Sequence, residues 1–223
     1  MVSVSEALRK RHSCRAFLDR PVEPSKIERI LKIAGRAPSG ANMQPWRVAV
    51  VSGGAKLRIA REMEARFRGG TPGHPDYRYY PEHWSEPYQS RRFACGMQLY
   101  SALGIEREDK DRRMEQFIAN YHSFGAPVVL YFYMESHLEA GSYMDLGMFL
   151  QSVMLAAIEE GLATCPQAAL AEYPEIVKPA LGIGDGFVLL CGMALGYEDT
   201  SAPINGYRTP RVGLDELATF HTR

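Results

Sequence analysis

The segment 146–158 is apolar around nearly the whole circumference of a helix, with Gln151 and Ser152 as its polar breaks. A bilayer crossing takes about 20 predominantly apolar residues, so this stretch is too short to span one and must be covered by protein instead. It is expected to run through the middle of the fold or along an interface between copies of the chain. With 223 residues the chain can bury one substantial core. We therefore expect a single domain over 1–223, with one excursion at about 69–113.

Three stretches carry the strand signature of β-branched and aromatic residues: 46–52 (WRVAVVS), 127–134 (PVVLYFYM) and 187–195 (FVLLCGMAL). Gly53 and Gly54 close the first. Helical spacing separates them. Residues 3–11 form a short helix, and a second starts at Pro24 and Ser25, where Ser25 and Glu28 make a capping box ahead of Ile27, Ile30, Leu31 and Ala34. Leu57, Ala60, Met63 and Phe67 mark a third helix, and further helical patterns cover 88–103, 110–121 and about 174–181. Residues 69–87 are rich in Gly, Pro and aromatics without a period, and 163–169 reads as a loop. Few strands among many helices predict an α/β (α+β) fold, a small mixed central sheet flanked by helices, and disfavour a doubly wound sheet.

The 26 basic and 26 acidic side chains balance, so no global field draws the chain to nucleic acid or an anionic membrane. Cys14, Cys95, Cys165 and Cys191 show no CxxC pair and read as reduced thiols. Glu6, Arg9, Lys10 and Arg11 interrupt any apolar leader after Met1, which predicts a cytoplasmic protein. His74 and His83 fit no zinc spacing, so no metal site is expected. Gly182, Gly184 and Gly186 precede a strand and are a turn, not a dinucleotide fingerprint.

Two clusters carry chemistry. The first is R-H-S-C-R at 11–15, where Arg11, His12, Ser13 and Arg15 combine guanidinium forks with shorter donors. Such a set suits a phosphate, yet taken alone a solvated basic patch is the commoner outcome. The second is the loop 37–46, in which Pro38, Ser39, Gly40, Asn42 and Gln44 offer amide and hydroxyl groups on a restrained backbone. By itself it reads equally as a recognition loop for a planar heterocycle or as an ordinary helix-to-strand connection. A third group, Tyr77, Tyr79, Tyr80, Trp84, Tyr88 and Phe93 with Arg78, Arg91 and Arg92 nearby, is either a satellite core or an acceptor-binding lid.

Together, R-H-S-x-R and A-P-S-G-A-N-x-Q-P-W resemble the nitroreductase family of FMN enzymes. The later segments D-L-G-M-F-L-Q from Asp145, G-L-A-T-C-P-Q-A-A-L from Gly161, G-M-A-L-G-Y from Gly192 and R-T-P-R from Arg208 follow in the family's order. The resemblance implies an intertwined homodimer with FMN at the interface. It implies phosphate and ribityl contacts from Arg11, His12, Ser13 and Arg15, with Arg211 and Arg208 returning to the phosphate. It also implies that Pro38, Ser39, Gly40, Asn42 and Gln44 approach the flavin from the partner subunit, and that the backbone of Pro166, Gln167, Ala168 and Ala169 lies near flavin N5. No catalytic side chain is then required, since the cofactor carries the electrons. The implied activity moves two electrons from NAD(P)H to a nitroaromatic or quinone-like acceptor by a ping-pong route, with Trp84, Tyr88, Arg91 and Arg92 as candidates for acceptor contact. Reductive dehalogenation, flavin fragmentation and a non-catalytic flavin sensor stand as alternatives. Cys165, beside Pro166, has no sequence-adjacent base and reads as a small hydrophobe.

Overall fold

The computed structural model describes residues 2–222. In chain order the elements are α1 (Val4–Lys10), α2 (Pro24–Ala34), β1 (Arg47–Ser52), α3 (Gly53–Arg68), α4 (Tyr88–Ala102), α5 (Lys110–Ile118), β2 (Val128–Glu135), α6 (Ala140–Glu159), β3 (Ala163–Gln167), α7 (Pro174–Ala180), β4 (Phe187–Gly196) and α8 (Leu214–Leu217). The sheet runs β1-β2-β4-β3, and all three strand pairs are antiparallel. The mixed sheet expected from sequence therefore reduces to a single parallel bridge between Ser13 and Thr164. The α/β class holds.

The period of two along β2 explains how the layers form. Val128, Leu130, Phe132 and Met134 point into one buried cluster, with Ile27, Ile30 and Ala34 of α2 and Leu146, Phe149 and Val153 of α6. Val129 and Tyr131 point into the other, with Ile59 and Met63 of α3 and Ile176 and Val177 of α7. Helices thus cover both faces, and a continuous apolar run is what a strand buried on both sides needs. Burying each of these large side chains contributes roughly 1.5–3 kcal/mol.

The apolar segment becomes the second half of α6, as expected. One side is buried in the sheet-facing core, while Met144 and Met148 stand exposed at 70% and 40%. Among the described residues no helix is long and apolar enough to cross a membrane.

Three local expectations need correction. Helix α2 begins at Pro24 with Glu23 as N-cap and no side-chain cap bond, so the Ser25 capping box does not form; proline is suited to the first helical position because its φ is preset and it has no N–H to orphan. Gly53 opens α3 at φ 56° as well as ending β1. Residues 163–167, expected as loop, are the edge strand β3, where Pro166 is tolerated because an edge strand has one side free of ladder bonds.

Candidate cofactor site

The basic N-terminal segment is tied to the end of the sheet by backbone. Ser13 bridges Thr164, Cys14 N–H donates to the Thr164 carbonyl at 3.0 Å, and Leu18 N–H donates to the Tyr197 carbonyl at 2.9 Å. Asn205, only 3% exposed, closes the arrangement. Its Oδ1 accepts Arg15 N–H at 2.8 Å, and its Nδ2 donates to the carbonyls of Ala16 and Asp199 at 2.8 and 2.9 Å. Residues 11–18 and 198–211, nearly 200 positions apart in sequence, are thereby held side by side.

Between them lies a cavity of about 410 Å³ whose lining includes Arg9, Arg11, His12, Ser13, Arg15, Tyr207, Arg208 and Arg211. Arg11, Arg15, Arg208 and Arg211 have no ion-pair partner among the described residues. Neutral groups hold them. Arg15 Nη1 donates to Tyr207 Oη at 3.0 Å, Arg208 Nη1 to the Asn205 carbonyl at 2.7 Å, and Arg211 Nη1 to Thr209 Oγ1 at 2.8 Å. Burial first, and the neighbouring Arg211 charge second, depress the pKa of Arg11. A cluster of like charges lacking carboxylates is stabilised by an anion that accepts several charge-assisted bonds. His12 contributes less than its position in the motif implies, because Nδ1 sits 3.1 Å from the Lys10 carbonyl and Nε2 3.0 Å from Glu198 Oε1.

Arg15 also lines a second cavity, of about 570 Å³, so the two adjoin. Its floor is Pro166, Gln167, Ala168 and Ala169, at the end of β3 and the start of the 3-10 turn Ala168–Ala171. The first amides of such a turn have no partner within it. The Gln167 side chain is held by Asn120, another residue of this cavity, its Nε2 donating to the Asn120 carbonyl at 2.9 Å. Opposite stand Tyr77, Tyr79 and Tyr80, with Phe117 alongside.

The remaining candidates are elsewhere in a single chain. Pro38 lines a separate cavity, and Ser39, Gly40, Asn42 and Gln44 line neither of the two above. Their loop is anchored from behind: Gly40 N–H donates to both oxygens of Asp145 at 3.2 Å, and Trp46 stacks on Phe149 at 4.8 Å. Ala41, Asn42 and Gln44 hold φ of 48°, 57° and 50°, strain that persists where surrounding contacts over-determine the backbone. Trp84, Tyr88, Arg91 and Arg92 also line neither cavity. Arg91 pairs with Glu216, and the Arg92 guanidinium lies 5.0 Å from the Trp84 ring. Of the aromatic residues of the excursion, Tyr77, Tyr79 and Tyr80 line the second cavity, together with Phe117.

Cys165 is 2% exposed and burial pushes its thiol up to about 11. We expect iodoacetamide at about pH 8 to leave it unmodified in the folded protein and to label it after denaturation, as read by peptide mass. The same shift makes the fold less stable as pH rises from 9.0 towards about 11, because the unfolded chain releases this proton first.

A nitroreductase family model matches residues 8–197. The chain belongs to the nitroreductase family. It is 37% identical over 218 residues to a chloronitrobenzene nitroreductase of Comamonas testosteroni, covering 97% of this chain and 96% of that one. The structure resembles the FMN- and NADPH-dependent nitroreductase NfnB from sphigopyxis sp. strain HMH with a TM-score of 0.95 at 45% identity, over 99% of this chain and 100% of that one. The FMN-dependent nitroreductase NfnB from Mycobacterium smegmatis, solved in complex with NADPH, gives 0.91 at 34% identity, over 98% and 100%.

Proposed function

We propose that this family member is an FMN-dependent oxidoreductase that transfers two electrons from NAD(P)H to a nitroaromatic acceptor. The observation that carries it is the pair of adjoining cavities, one lined by five arginines without carboxylate partners among the described residues and the other lined by the 166–169 segment. The residues present fit FMN: Arg11, Ser13, Arg15, Arg208 and Arg211 suit its phosphate and ribityl chain, and the Pro166 to Ala169 backbone suits the edge of its ring. When bound, FMN supplies two-electron transfer between reduced nicotinamide and acceptor.

The chain's own residues bind and orient. Main-chain amides of the 166–169 segment, wherever they face the ring edge, would favour negative charge there without needing an acidic or basic side chain. Tyr79 and Tyr80 offer flat apolar faces to an aromatic ring. In this reading donor and acceptor take turns at the same ring face, a ping-pong order. The segment 69–113 serves as the acceptor-side lid.

A homodimer completes the reading. Met144 and Met148 on α6, and Met43 in the 38–44 loop, are exposed apolar side chains, and their burial against a second copy would bring Ser39, Asn42 and Gln44 towards the partner's flavin. The full-length relatives being nitroreductases, dehalogenation and flavin fragmentation are not favoured. The test is whether the purified protein shows flavin absorption or takes up added FMN, and whether NADPH oxidation then depends on nitrobenzene. Absence of flavin uptake overturns the proposal. Flavin without acceptor-dependent oxidation leaves a non-catalytic binder in its place.

A further inference from the structure

Strand β4 carries a bulge opposite β2. Phe132 pairs with Cys191 and Tyr133 with Leu189, so Leu190 has no cross-strand partner. A bulge removes backbone groups from the ladder, and when these are buried they need partners from elsewhere. Here the partners come from the excursion. The Leu189 N–H donates to Asp76 Oδ2 at 2.8 Å, and the Leu190 carbonyl accepts the Tyr77 hydroxyl at 2.8 Å. Both leucines are buried. Lys178 ties the same carboxylate to the strand, its Nζ 3.5 Å from Asp76 Oδ2 while donating to the Phe187 carbonyl at 2.9 Å.

Neighbouring contacts show how the segment is seated. Upstream, Gly73 approaches Glu172 so closely that a Cβ there would fall 2.2 Å from Cγ, and the Tyr173 hydroxyl donates to the Thr71 carbonyl at 3.0 Å. The Tyr77 ring leans on Tyr143 of α6, with centroids 5.5 Å apart. Downstream, Tyr79 and Tyr80 pack edge to face at 4.6 Å, and neither hydroxyl has a hydrogen-bond partner in the body of the protein among the described residues. The last fixed points before the tyrosine wall are therefore residues 76 and 77.

We propose that Asp76 is a positioning residue for the acceptor: by capturing the β4 bulge, together with Tyr77, it fixes Tyr79 and Tyr80 as one wall of the ring cavity and so sets which ring-sized acceptors bind. It does this without touching them, in a role that presupposes the flavin reading above. The phosphate-side cavity shares no residue with this clamp.

The test compares the flavin-loaded full-length protein with its Asp76→Ala, Asp76→Asn and Tyr77→Phe variants. Flavin content, the urea midpoint, and the reoxidation of dithionite-reduced protein by nitrobenzene over a range of concentrations are measured. In Asp76→Ala the flavin content is expected to stay as in the wild type, while the nitrobenzene concentration for half-maximal reoxidation rises about tenfold and the limiting rate changes less than about twofold, the loss of one charge-assisted bond. Asp76→Asn keeps an acceptor for the Leu189 N–H and is expected to recover most of the shift. Tyr77→Phe is expected to move it in the same direction, by less. The proposal is overturned if the alanine variant is reoxidised like the wild type, or if its only change is a lower urea midpoint. It is also overturned if asparagine behaves as alanine does. Should Asp76→Ala not fold, an unchanged half-saturation in Tyr77→Phe overturns it equally. A wild type that holds flavin and reduces nitrobenzene, beside variants that do so identically, sinks this inference alone; a wild type without flavin sinks the function reading first.

Discussion

Replacing Arg15 by alanine is expected to weaken FMN binding roughly 30- to 100-fold. A hydrogen bond from a charged donor contributes about 1.5–3 kcal/mol, and each 1.4 kcal/mol is about tenfold in affinity. Arg15 has a special position among the cationic residues, since it lines both cavities and its backbone N–H is gripped by Asn205. Its guanidinium is already oriented by Tyr207 and carries no carboxylate that binding would have to displace. Arg15→Lys keeps the charge but not the planar fork, so it is expected to fall between wild type and alanine. Equilibrium titration of the apoprotein with FMN, together with a thermal melt of each apoprotein, separates lost binding from lost folding. Affinity unchanged in the alanine variant would remove Arg15 from the cradle.

Substituting Gly192 with alanine is expected to cost about 2–3 kcal/mol of stability and to displace the turn that floors the ring cavity. A Cβ at Gly192 would lie 2.4 Å from Leu170 Cδ1 and 2.7 Å from Leu170 Cβ. The second distance decides the size of the effect, because a Cβ does not swing away with a side-chain rotation as a terminal methyl does. Leu170 is wholly buried in the Ala168–Ala171 turn, and Gly192 pairs with Gln167 across β3 and β4. Overpacking in a filled core costs typically about 1–3 kcal/mol, and this site sits at the upper end. Urea unfolding gives the number. Combining Gly192→Ala with Leu170→Gly removes the opposing Cβ, so the double variant is expected to be more stable than the sum of the singles predicts. Strict additivity would show that the contact is not the cause.

The same glycine shows where sequence reasoning stops. Gly192 lies within a strand pattern, and nothing in its neighbours announces that a turn from residues 168–171 will press against it. Asn205 was likewise invisible as a structural clamp, because an Asn between Pro203 and Gly206 reads as a turn former. Its importance comes from three hydrogen bonds to segments far along the chain. Tyr207 became a cavity residue for the same reason. Residues 163–169 read as a loop in the sequence, and the strand that forms over 163–167 accommodates Pro166 because it lies at the sheet edge.

The helices α1 to α7 and the three long strands were legible from local chemistry, since apolar spacing at 3.6 or 2 residues reports which face an element buries. The motif residues Arg11, Ser13, Arg15 and Arg211 were legible too, but only as members of a family pattern; as isolated basic residues they favoured a solvated patch. Tertiary structure decided that they converge. It brought residues 11–15 beside 207–211 through Asn205, left Arg11, Arg15, Arg208 and Arg211 without carboxylate partners among the described residues, and set their cavity against one lined by Ala168 and Ala169. It also brought Tyr77, Tyr79 and Tyr80 to the second cavity, where a bulge in β4 offers Asp76 and Tyr77 the buried backbone partners that fix that part of the excursion. Periodicity is a property of neighbours along the chain, and so the sequence by itself determined the elements and their buried faces. Which charge goes unpaired and which carbonyl goes unsatisfied depend on groups that meet only when the chain is folded.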